Sequence, residues 1–359
     1  KNLRSILPAS TRICYALKAN TWLLPFVKDS VDYIEICSPG EIEIVRALNV
    51  SYNNIIIDGV CRTQCELMDL AAAPFHRTVI ESLRQAESLN HYAEQNKTMK
   101  NVLLRLSNGS QFGMSLDDIK YLINNAKNFP ALNVKGLHAY FGTRNKNPDM
   151  LSKNFDTIKK VLSNFEVFQE IEFGPGLAVV QSPSQSYENF IECLNLVAES
   201  FAELAQKYIT VIECGRLLAA NTGIYVTSLV ERKTIDGKIF YITDGGHNHL
   251  VYDGMYYGHP APFIFQPDHK SNEREIVSVC GALCAESDIS AKGVELFVMN
   301  EGEKLIFMSA GAYSITECPA LFLSRSMPAV LCRERDKIHT LREHIPTWPL
   351  NLGGNAVDL

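Results

Sequence analysis

Eight short apolar segments recur between residues 12 and 214, and a longer stretch with helical periodicity follows almost every one of them. The segments are RICYA (12–16), YIEIC (33–37), NIIID (54–58), TVIE (78–81), VLLRL (102–106), GLHAYF (136–141), IEFG (171–174) and TVIEC (210–214). Short runs rich in β-branched residues are typical of buried strands, and their alternation with helices is typical of βα units. The sequence therefore predicts a parallel (β/α)8 barrel.

The sequence pattern changes at about residue 224, where strands and turns alternate without long helical stretches. The segments are GIYVTSLVERK, KIFYITDGG, REIVSVCGALC and KLIFMSAGAY. This pattern predicts an antiparallel β domain after the barrel, within an α/β fold class. We expect the barrel at residues 1–230, the β domain at 231–333 and a charged, turn-rich tail at 334–359.

Charge and cysteine usage exclude several classes of protein. The formal net charge is −6 and no Lys/Arg-rich run occurs, so we expect binding neither to nucleic acid nor to a membrane surface. Ten cysteines are spread along the chain, and the closest pairs, Cys61/Cys65 and Cys280/Cys284, lack the two-residue spacing of redox or zinc motifs. Free thiols and a cytoplasmic location are the simplest expectation. The abrupt start before Lys18 would fit a preceding segment absent from this sequence.

Polar residues stand at many of the predicted strand ends, which is where a (β/α)8 barrel carries its reactive groups. They are Lys18 after strand 1, Glu35 and Ser38 at strand 2, Arg105 in strand 5, His138 and Tyr140 in strand 6, Gly174-Pro175-Gly176 after strand 7, and Glu213-Cys214-Gly215-Arg216 after strand 8. A lysine after an apolar strand is partly desolvated, which makes its amine a candidate Schiff-base nucleophile. A surface lysine is the alternative.

Two of these strand ends have the chemistry of a phosphate and ring-binding site. The Gly174-Pro175-Gly176 turn can present backbone N–H groups to a phosphate, although most such turns are only turns. Glu213 can bond a cationic ring nitrogen while Arg216 binds phosphate, and a plain ion pair between them is the alternative.

Eight segments in this order resemble those of the fold type III decarboxylases, the ornithine, diaminopimelate and siderophore-pathway decarboxylases. The segments are YALKAN, EICSPGEI, LRL followed by QFGMS, GLHAYFGT, EFGPGL, ECGRLLAANTG, CGALC…SD and GAY, over roughly residues 12–330. The resemblance is strongest to siderophore-type members. It implies pyridoxal 5'-phosphate as cofactor, decarboxylation of an amino acid or amino-acid conjugate, and a homodimer with shared active sites.

The resemblance also implies roles for individual residues. Lys18 matches the lysine that binds the cofactor covalently, and Glu213 matches the acid that keeps the pyridine nitrogen protonated. The other positions beside the cofactor or its phosphate match Arg105, Thr143, Gly174, Gly176, Cys214, Gly215, Arg216 and Tyr313. Cys284 matches a cysteine that enters the partner subunit's site and returns a proton to the product carbon, although an ordinary buried thiol is the alternative.

Several departures from the family concern the substrate. Tyr140 replaces a histidine that stacks on the cofactor ring, and Tyr252 stands near the position of an arginine for a distal carboxylate. Ala285 replaces the acidic residue that binds a distal amine in the ornithine and diaminopimelate enzymes. Gln111 replaces a lysine that pairs across the dimer with the Asp288 position, as in siderophore-type members.

Other assignments have competing explanations. Glu41 matches a family glutamate near the cofactor lysine, but Ser38-Pro39-Gly40-Glu41 also reads as a capping box that starts a helix over residues 39–48. The loosely spaced His247, His249 and His259 resemble a metal cluster, but we expect turn and pocket-rim histidines and no metal. Racemisation on the same cofactor, or an inactive relative that regulates a decarboxylase, are the alternative functions.

Overall fold

The computed structural model describes residues 2–252 and 261–352. The chain forms two compact units, one of Lys1–Val179 with Tyr187–Leu218 and the other of Val180–Ser186 with the chain from Ala219 onward. The sequence pattern predicts this division at residue 230. The observed division comes earlier because the long strand Tyr225–Ile235 already pairs inside the sheet of the second unit.

The first unit is a closed barrel of eight parallel strands in sequential order, which confirms the predicted fold class. Its strands are Arg12–Ala16 (β1), Tyr33–Ile36 (β2), Ile55–Ile57 (β3), Arg77–Ile80 (β4), Lys100–Leu106 (β5), Leu132–Tyr140 (β6), Glu170–Gly174 (β7) and Ile209–Cys214 (β8). All three isoleucines of β3 are buried, as expected for a strand with side chains in the barrel on one face and under helices on the other.

Helices follow the strands on the outside of the barrel. Those of the first unit are Asn2–Ile6 (α1), Leu24–Val27 (α2), Pro39–Ala47 (α3), Gln64–Ala72 (α4), Leu83–Gln95 (α5), Leu116–Asn124 (α6), Pro148–Ser163 (α7) and Tyr187–Leu204 (α8), and Arg216–Ala219 (α9) follows β8. In α7 the buried residues Leu151, Phe155, Ile158 and Leu162 recur every three or four positions. This spacing gives the helix one apolar face for the barrel.

The start of α3 differs in one detail from the predicted capping box. Ser38 caps the helix as expected, because its Oγ accepts the Glu41 N–H at 3.2 Å. The Glu41 carboxylate does not return to the Ser38 N–H. It accepts the backbone N–H of Cys37 instead, with an N···Oε2 distance of 2.6 Å. The second half of the predicted box is therefore wrong, and Glu41 fixes the backbone just after β2.

The second unit contains a six-stranded sheet and a two-stranded sheet. Its strands are Tyr225–Ile235 (β9), Lys238–Thr243 (β10), Ile264–Phe265 (β11), Arg274–Cys280 (β12), Ile289–Phe297 (β13), Lys304–Phe307 (β14), Val330–Glu334 (β15) and Lys337–Arg342 (β16), followed by helix Trp348–Asn351 (α10). The larger sheet has the order β11-β14-β9-β10-β12-β13 and is antiparallel except where β10 pairs with β12. Strand β16 and helix α10 lie within the predicted tail.

No helix within residues 2–252 and 261–352 is both long enough and apolar enough to cross a membrane. All ten cysteines lie in these residues, and each is a free thiol.

Candidate active site

Lys18 lies in the short 3₁₀ turn Leu17–Ala19, which directly follows β1 at the carboxyl end of the barrel. Its Nζ donates hydrogen bonds to both carboxylate oxygens of Glu35, at 2.7 and 2.8 Å, and lies 3.4 Å from Oε1 of Glu213. The Lys18 side chain is 39% exposed, whereas those of Glu35 and Glu213 are 0% and 6% exposed. A partly accessible amine is therefore held against two buried carboxylates.

Glu35 is the acid in closest contact with this amine. Burial raises its pKa to about 7 against the opposing effect of the Lys18 charge, and the nearby carboxylates Glu213 and Asp58 act in the same direction as burial. The thiol of Cys37 donates to Oε1 of Glu35, with an S···O distance of 2.8 Å. Burial and the Glu35 charge raise the pKa of the Cys37 thiol, so it remains a donor. Glu35 is thus able to exchange a proton near neutral pH.

Glu213, at the end of β8, has the opposite character. Burial alone would raise its pKa, but the Lys18 charge and a hydrogen bond from His138 outweigh burial and lower the pKa to about 2. The distance from Nε2 of His138 to Oε2 of Glu213 is 3.4 Å, and His138 is fully buried. Glu213 therefore stays ionised, as a carboxylate that bonds a protonated ring nitrogen must.

Arg105 lies in a buried charge network beside this pair. Its Nη1 donates to Oδ2 of Asp58 at 2.7 Å and to Oε1 of Glu81 at 2.8 Å. Glu81 also accepts the backbone N–H of Gly113 at 2.9 Å, and the Arg105 guanidinium lies 4.9 Å from the ring centroid of Phe112. Arg105 thus joins the ends of β3, β4 and β5 to the loop after β5.

Several residues of this cluster have no role predicted from the sequence. Asp58, Glu81 and Cys37 were not selected, and Glu35 and His138 were noted only as polar strand residues. The segments NIIID and TVIE each end in a carboxylate, at the same strand-end position that singled out Lys18. Strand-end position alone could have found Asp58 and Glu81, but the residues that they contact are far away in sequence.

The Gly-Pro-Gly turn after β7 is sterically tight. Gly176 has a φ of +58°, and a Cβ atom there would lie 1.9 Å from the carbonyl oxygen of Gly142. A Cβ on Gly174 would lie 2.8 Å from Cδ2 of Tyr140 and 3.2 Å from Oε2 of Glu213. The turn therefore approaches Tyr140 and Glu213 with backbone atoms only. Thr143, another predicted site residue, lies next to Gly176 and is exposed.

Glu35, Cys37 and Asp58 also have the composition of a metal site, since their ligand atoms lie within 4.8 Å of one another. Each of these atoms is already bonded inside the protein. Lys18 bonds Glu35 and Cys37, and Arg105 bonds Asp58. Because two cations already neutralise the cluster, its arrangement is accounted for without an added metal ion.

Four predicted residues lie in the second unit, and they are described within that unit. Cys284 is exposed, and Ala285 accepts the Asp288 N–H at 3.0 Å. Asp288 is 3% exposed and accepts the N–H groups of His247 and Leu283, at 2.7 and 2.8 Å. These bonds fix the loop that carries Cys284. The other two residues are Tyr252, whose hydroxyl donates to the Met308 carbonyl at 2.6 Å, and Tyr313, which has a φ of +64°.

Of the three histidines that resemble a metal cluster in the sequence, His249 has hydrogen bonds that account for its position. Nδ1 of His249 lies 3.1 Å from the Tyr225 hydroxyl, and Nε2 lies 2.8 Å from the carbonyl oxygen of Ser326. Both ring nitrogens of His249 are thus engaged within the protein. His259 lies outside the described residues.

The closed parallel barrel, the separate sheet and the lysine held between two buried acids at the barrel mouth agree with the family that the sequence resembles. Residues 25–311 match the family described as pyridoxal-dependent decarboxylase, C-terminal sheet domain. The chain therefore belongs to the pyridoxal-dependent decarboxylases, and the predicted family is confirmed. It is an enzyme of the carboxy-lyase class.

Two similar proteins have names that specify their substrates. The chain is 25% identical to the 2-[(L-alanin-3-ylcarbamoyl)methyl]-2-hydroxybutanedioate decarboxylase of Staphylococcus aureus, over 91% of this chain and 89% of that protein. It is 24% identical to the L-glutamyl-[BtrI acyl-carrier protein] decarboxylase of Niallia circulans, over 95% of this chain and 87% of that protein.

A solved structure is similar over nearly the whole chain. Diaminopimelate decarboxylase from Helicobacter pylori, complexed with L-lysine, superposes with a TM-score of 0.86 at 19% identity and covers 98% of this chain and 92% of its own. At this identity the likeness establishes the fold.

Proposed function

We propose that this decarboxylase binds pyridoxal 5'-phosphate covalently at Lys18 and removes the carboxylate from an amino acid that is joined to a second chemical group. The observation that carries the proposal is the position of the Lys18 amine, 2.7 Å from Glu35 and 3.4 Å from Glu213 at the mouth of the barrel.

The residues present fit this cofactor. Lys18 would hold its aldehyde carbon, Glu213 its ring nitrogen, and the bare backbone of Gly174 and Gly176, with Arg216, its phosphate. When bound, the cofactor supplies an electron sink for the reacting carbon. Tyr140 supplies an aromatic face where the family has a histidine.

Glu35 and Glu213 divide the proton chemistry between them. Glu213 stays an anion and holds a proton on the group that it bonds. Glu35, with a pKa of about 7, can accept a proton from Nζ of Lys18 or return one to it in the neutral range. Both carboxylates hold the Lys18 amine in place, and Glu35 is the one that can exchange a proton with its surroundings in the neutral range.

The proposed substrate class rests on the side chains at positions 252 and 285 and on the two named relatives. A free distal ammonium needs an anionic partner worth ~1.5–3 kcal/mol, and Ala285 cannot supply one. Tyr252 likewise supplies no cation for a distal carboxylate. The names of the two relatives describe an alanine joined through a carbamoyl group to a hydroxybutanedioate and a glutamyl group on an acyl-carrier protein, so both substrates are conjugates.

The proposed working unit is a homodimer in which Cys284 of one copy completes the site around Lys18 of the other. Cys284 is an exposed thiol on a loop fixed by Asp288, which suits a group that enters a neighbouring site. In this scheme its Sγ–H returns a proton to the product carbon.

Covalent trapping tests the cofactor assignment. Protein loaded with pyridoxal phosphate and reduced with borohydride should carry the cofactor on the Lys18 peptide, as read by mass spectrometry. Lys18→Ala should lose the adduct, whereas Lys28→Ala, which removes a lysine bonded to the Leu48 carbonyl, should keep it. Recovery of the adduct on another lysine would remove the basis of the proposal.

Substrate screening tests the conjugate proposal. Ornithine, lysine, arginine and meso-diaminopimelate should each give kcat/KM well below ~10⁴ M⁻¹s⁻¹, and an amide-linked amino acid should exceed all four. Efficient decarboxylation of any one of the four would contradict the substrate class but leave the cofactor assignment intact. Chiral analysis of the products separates decarboxylation from racemisation.

A further inference from the structure

Asn145 lies in the loop after β6 and contacts the Gly-Pro-Gly turn after β7 with both its side chain and its backbone. Its Nδ2 donates to the carbonyl oxygen of Pro175 at 2.6 Å and lies 3.5 Å from that of Gly142. Its backbone N–H donates to the carbonyl oxygen of Gly176 at 2.8 Å, and its own carbonyl oxygen accepts the N–H of Ala178 at 3.0 Å. This half-buried residue therefore binds the turn at three points.

These bonds decide which way the peptide groups of the turn point. In a trans peptide the N–H points opposite to the C=O of the same peptide group. Because the C=O groups of Pro175 and Gly176 both point to Asn145, the N–H groups of Gly176 and Leu177 both point away from it. Two successive N–H groups on one side of a turn form a concave site for an anion.

The two N–H groups have no acceptor among the residues that the structure describes. Leu177 is buried, with 4% of its surface exposed. Buried backbone N–H groups without an acceptor are rare in proteins, because each one costs free energy. The turn is therefore built to receive oxygen atoms from a ligand, and the bonds to Asn145 are what give it this orientation.

We infer that Asn145 is a positioning residue, which turns the N–H groups of Gly176 and Leu177 toward the phosphate of the cofactor by binding the carbonyl oxygens of the same two peptide groups. The inference rests on the proposed function in taking a cofactor phosphate as the anion at this turn. Asn145 acts without touching the phosphate. When its amide is removed, the Pro175 carbonyl loses its donor, and the peptide group is less restrained in the orientation that suits an anion.

The experiment compares pyridoxal phosphate with pyridoxal, which lacks the phosphate, by calorimetric titration of the cofactor-free chain. The ratio of the two Kd values measures what the phosphate contributes to binding. Asn145→Leu removes the donor without adding charge. It should raise the Kd of pyridoxal phosphate about tenfold, the effect of one hydrogen bond, and that of pyridoxal less than about twofold.

Asn125→Leu is the matched control. The Asn125 amide also donates to a backbone carbonyl, that of Tyr121 at 2.8 Å, but it does so at the end of α6. Neither Kd should change in this variant. Asn145→Ala also lacks the donor, and it replaces the leucine variant if that variant does not fold.

A second measurement uses the wild-type chain alone. Pyridoxal phosphate should slow amide hydrogen exchange in the peptide that contains Gly176 and Leu177, and pyridoxal should slow it much less. Equal slowing by the two ligands would overturn the inference, and so would an unchanged ratio of Kd values in the donor-free variant. If the wild-type chain binds pyridoxal phosphate no more tightly than pyridoxal, the proposed phosphate site itself is wrong. Tight wild-type binding with an unaffected variant overturns the role of Asn145 alone.

Discussion

The amine of Lys18 is bonded to both oxygens of Glu35, at 2.7 and 2.8 Å, so the proposed cofactor lysine is paired with a fully buried carboxylate from the neighbouring strand. Glu213 lies farther away at 3.4 Å and has the opposite acid–base character. Two carboxylates with different proton affinities around one amine are a pattern typical of acid–base sites.

Glu213→Gln should retain covalent attachment of the cofactor but reduce turnover by at least ~10²-fold, because a positioned charge is lost where charge develops. Steady-state kcat and the borohydride adduct on Lys18 are the two measurements. Glu166→Gln, at an exposed position, is the matched control and should be neutral. Near-normal turnover in Glu213→Gln would mean that this carboxylate does not bond the reacting group.

Glu35 predicts a particular pH dependence of stability. Its pKa is about 7 in the folded protein, above its ordinary value of 4.5, so the folded state binds the proton more tightly than the unfolded chain. The wild-type free energy of unfolding should therefore fall as pH rises from ~4.5 to ~7, by at most about 3 kcal/mol from this group. Glu35→Gln should remove that part of the slope in urea unfolding at about pH 5 and pH 7. Equal pH dependence of the free energy of unfolding in wild type and Glu35→Gln would contradict the raised pKa of Glu35.

Arg105→Met should destabilise the protein by about 3–5 kcal/mol, since Asp58 and Glu81 would remain buried without their cation. Urea unfolding measures this loss. Arg46→Met removes an exposed ion pair with Glu43 and should cost less than ~1 kcal/mol. Similar losses of stability in the two variants would contradict a buried charge network around Arg105.

Gly176→Ala should cost at least about 3 kcal/mol, because the added Cβ meets the Gly142 carbonyl oxygen at 1.9 Å and the φ of +58° disfavours a side chain. Gly109→Ala is the matched control. Gly109 also has a positive φ, of +88°, but a Cβ there meets nothing within 4 Å, so its cost should be about 1–2 kcal/mol. Thermal unfolding of both variants separates backbone strain from steric overlap, and similar costs would argue against a tight turn at Gly176.

A mixture of Lys18→Ala and Cys284→Ala protein should recover activity if sites are shared in a homodimer. Each variant alone should be inactive or badly impaired, whereas hybrid dimers contain one intact site. Mass spectrometry of the intact complexes verifies subunit exchange. Verified exchange without any return of activity would exclude the shared site.

Strand periodicity and strand-end chemistry made much of this protein predictable. Buried apolar segments such as Ile55–Ile57 identify their own strands, because a parallel strand covered on both faces needs apolar residues on both. Lys18 and Glu213 could be selected because each directly follows or ends such a strand. The start of α3 was predictable from Ser38, since an N-cap contact joins residues only three positions apart in the sequence.

The contacts that give the site its character depend on residues distant in sequence. Arg105 bonds Asp58 across 47 positions, and Lys18 approaches Glu213 across 195. The local pattern around Glu41 predicted a capping-box bond to the Ser38 N–H, and in the folded chain its carboxylate accepts the N–H of Cys37 instead.

The sequence by itself determined where strands and helices form and which residues stand at the barrel's carboxyl end, because these depend on local periodicity. Tertiary structure decided that Glu35 holds its proton to a pKa of about 7 while Glu213 gives its proton up at about 2. Both are buried glutamates that contact Lys18. The Lys18 charge lowers both pKa values; a hydrogen bond from His138 lowers that of Glu213 further, whereas the Glu213 charge adds to burial in raising that of Glu35. Burial and neighbouring charge act on a carboxylate only once the barrel has closed around it.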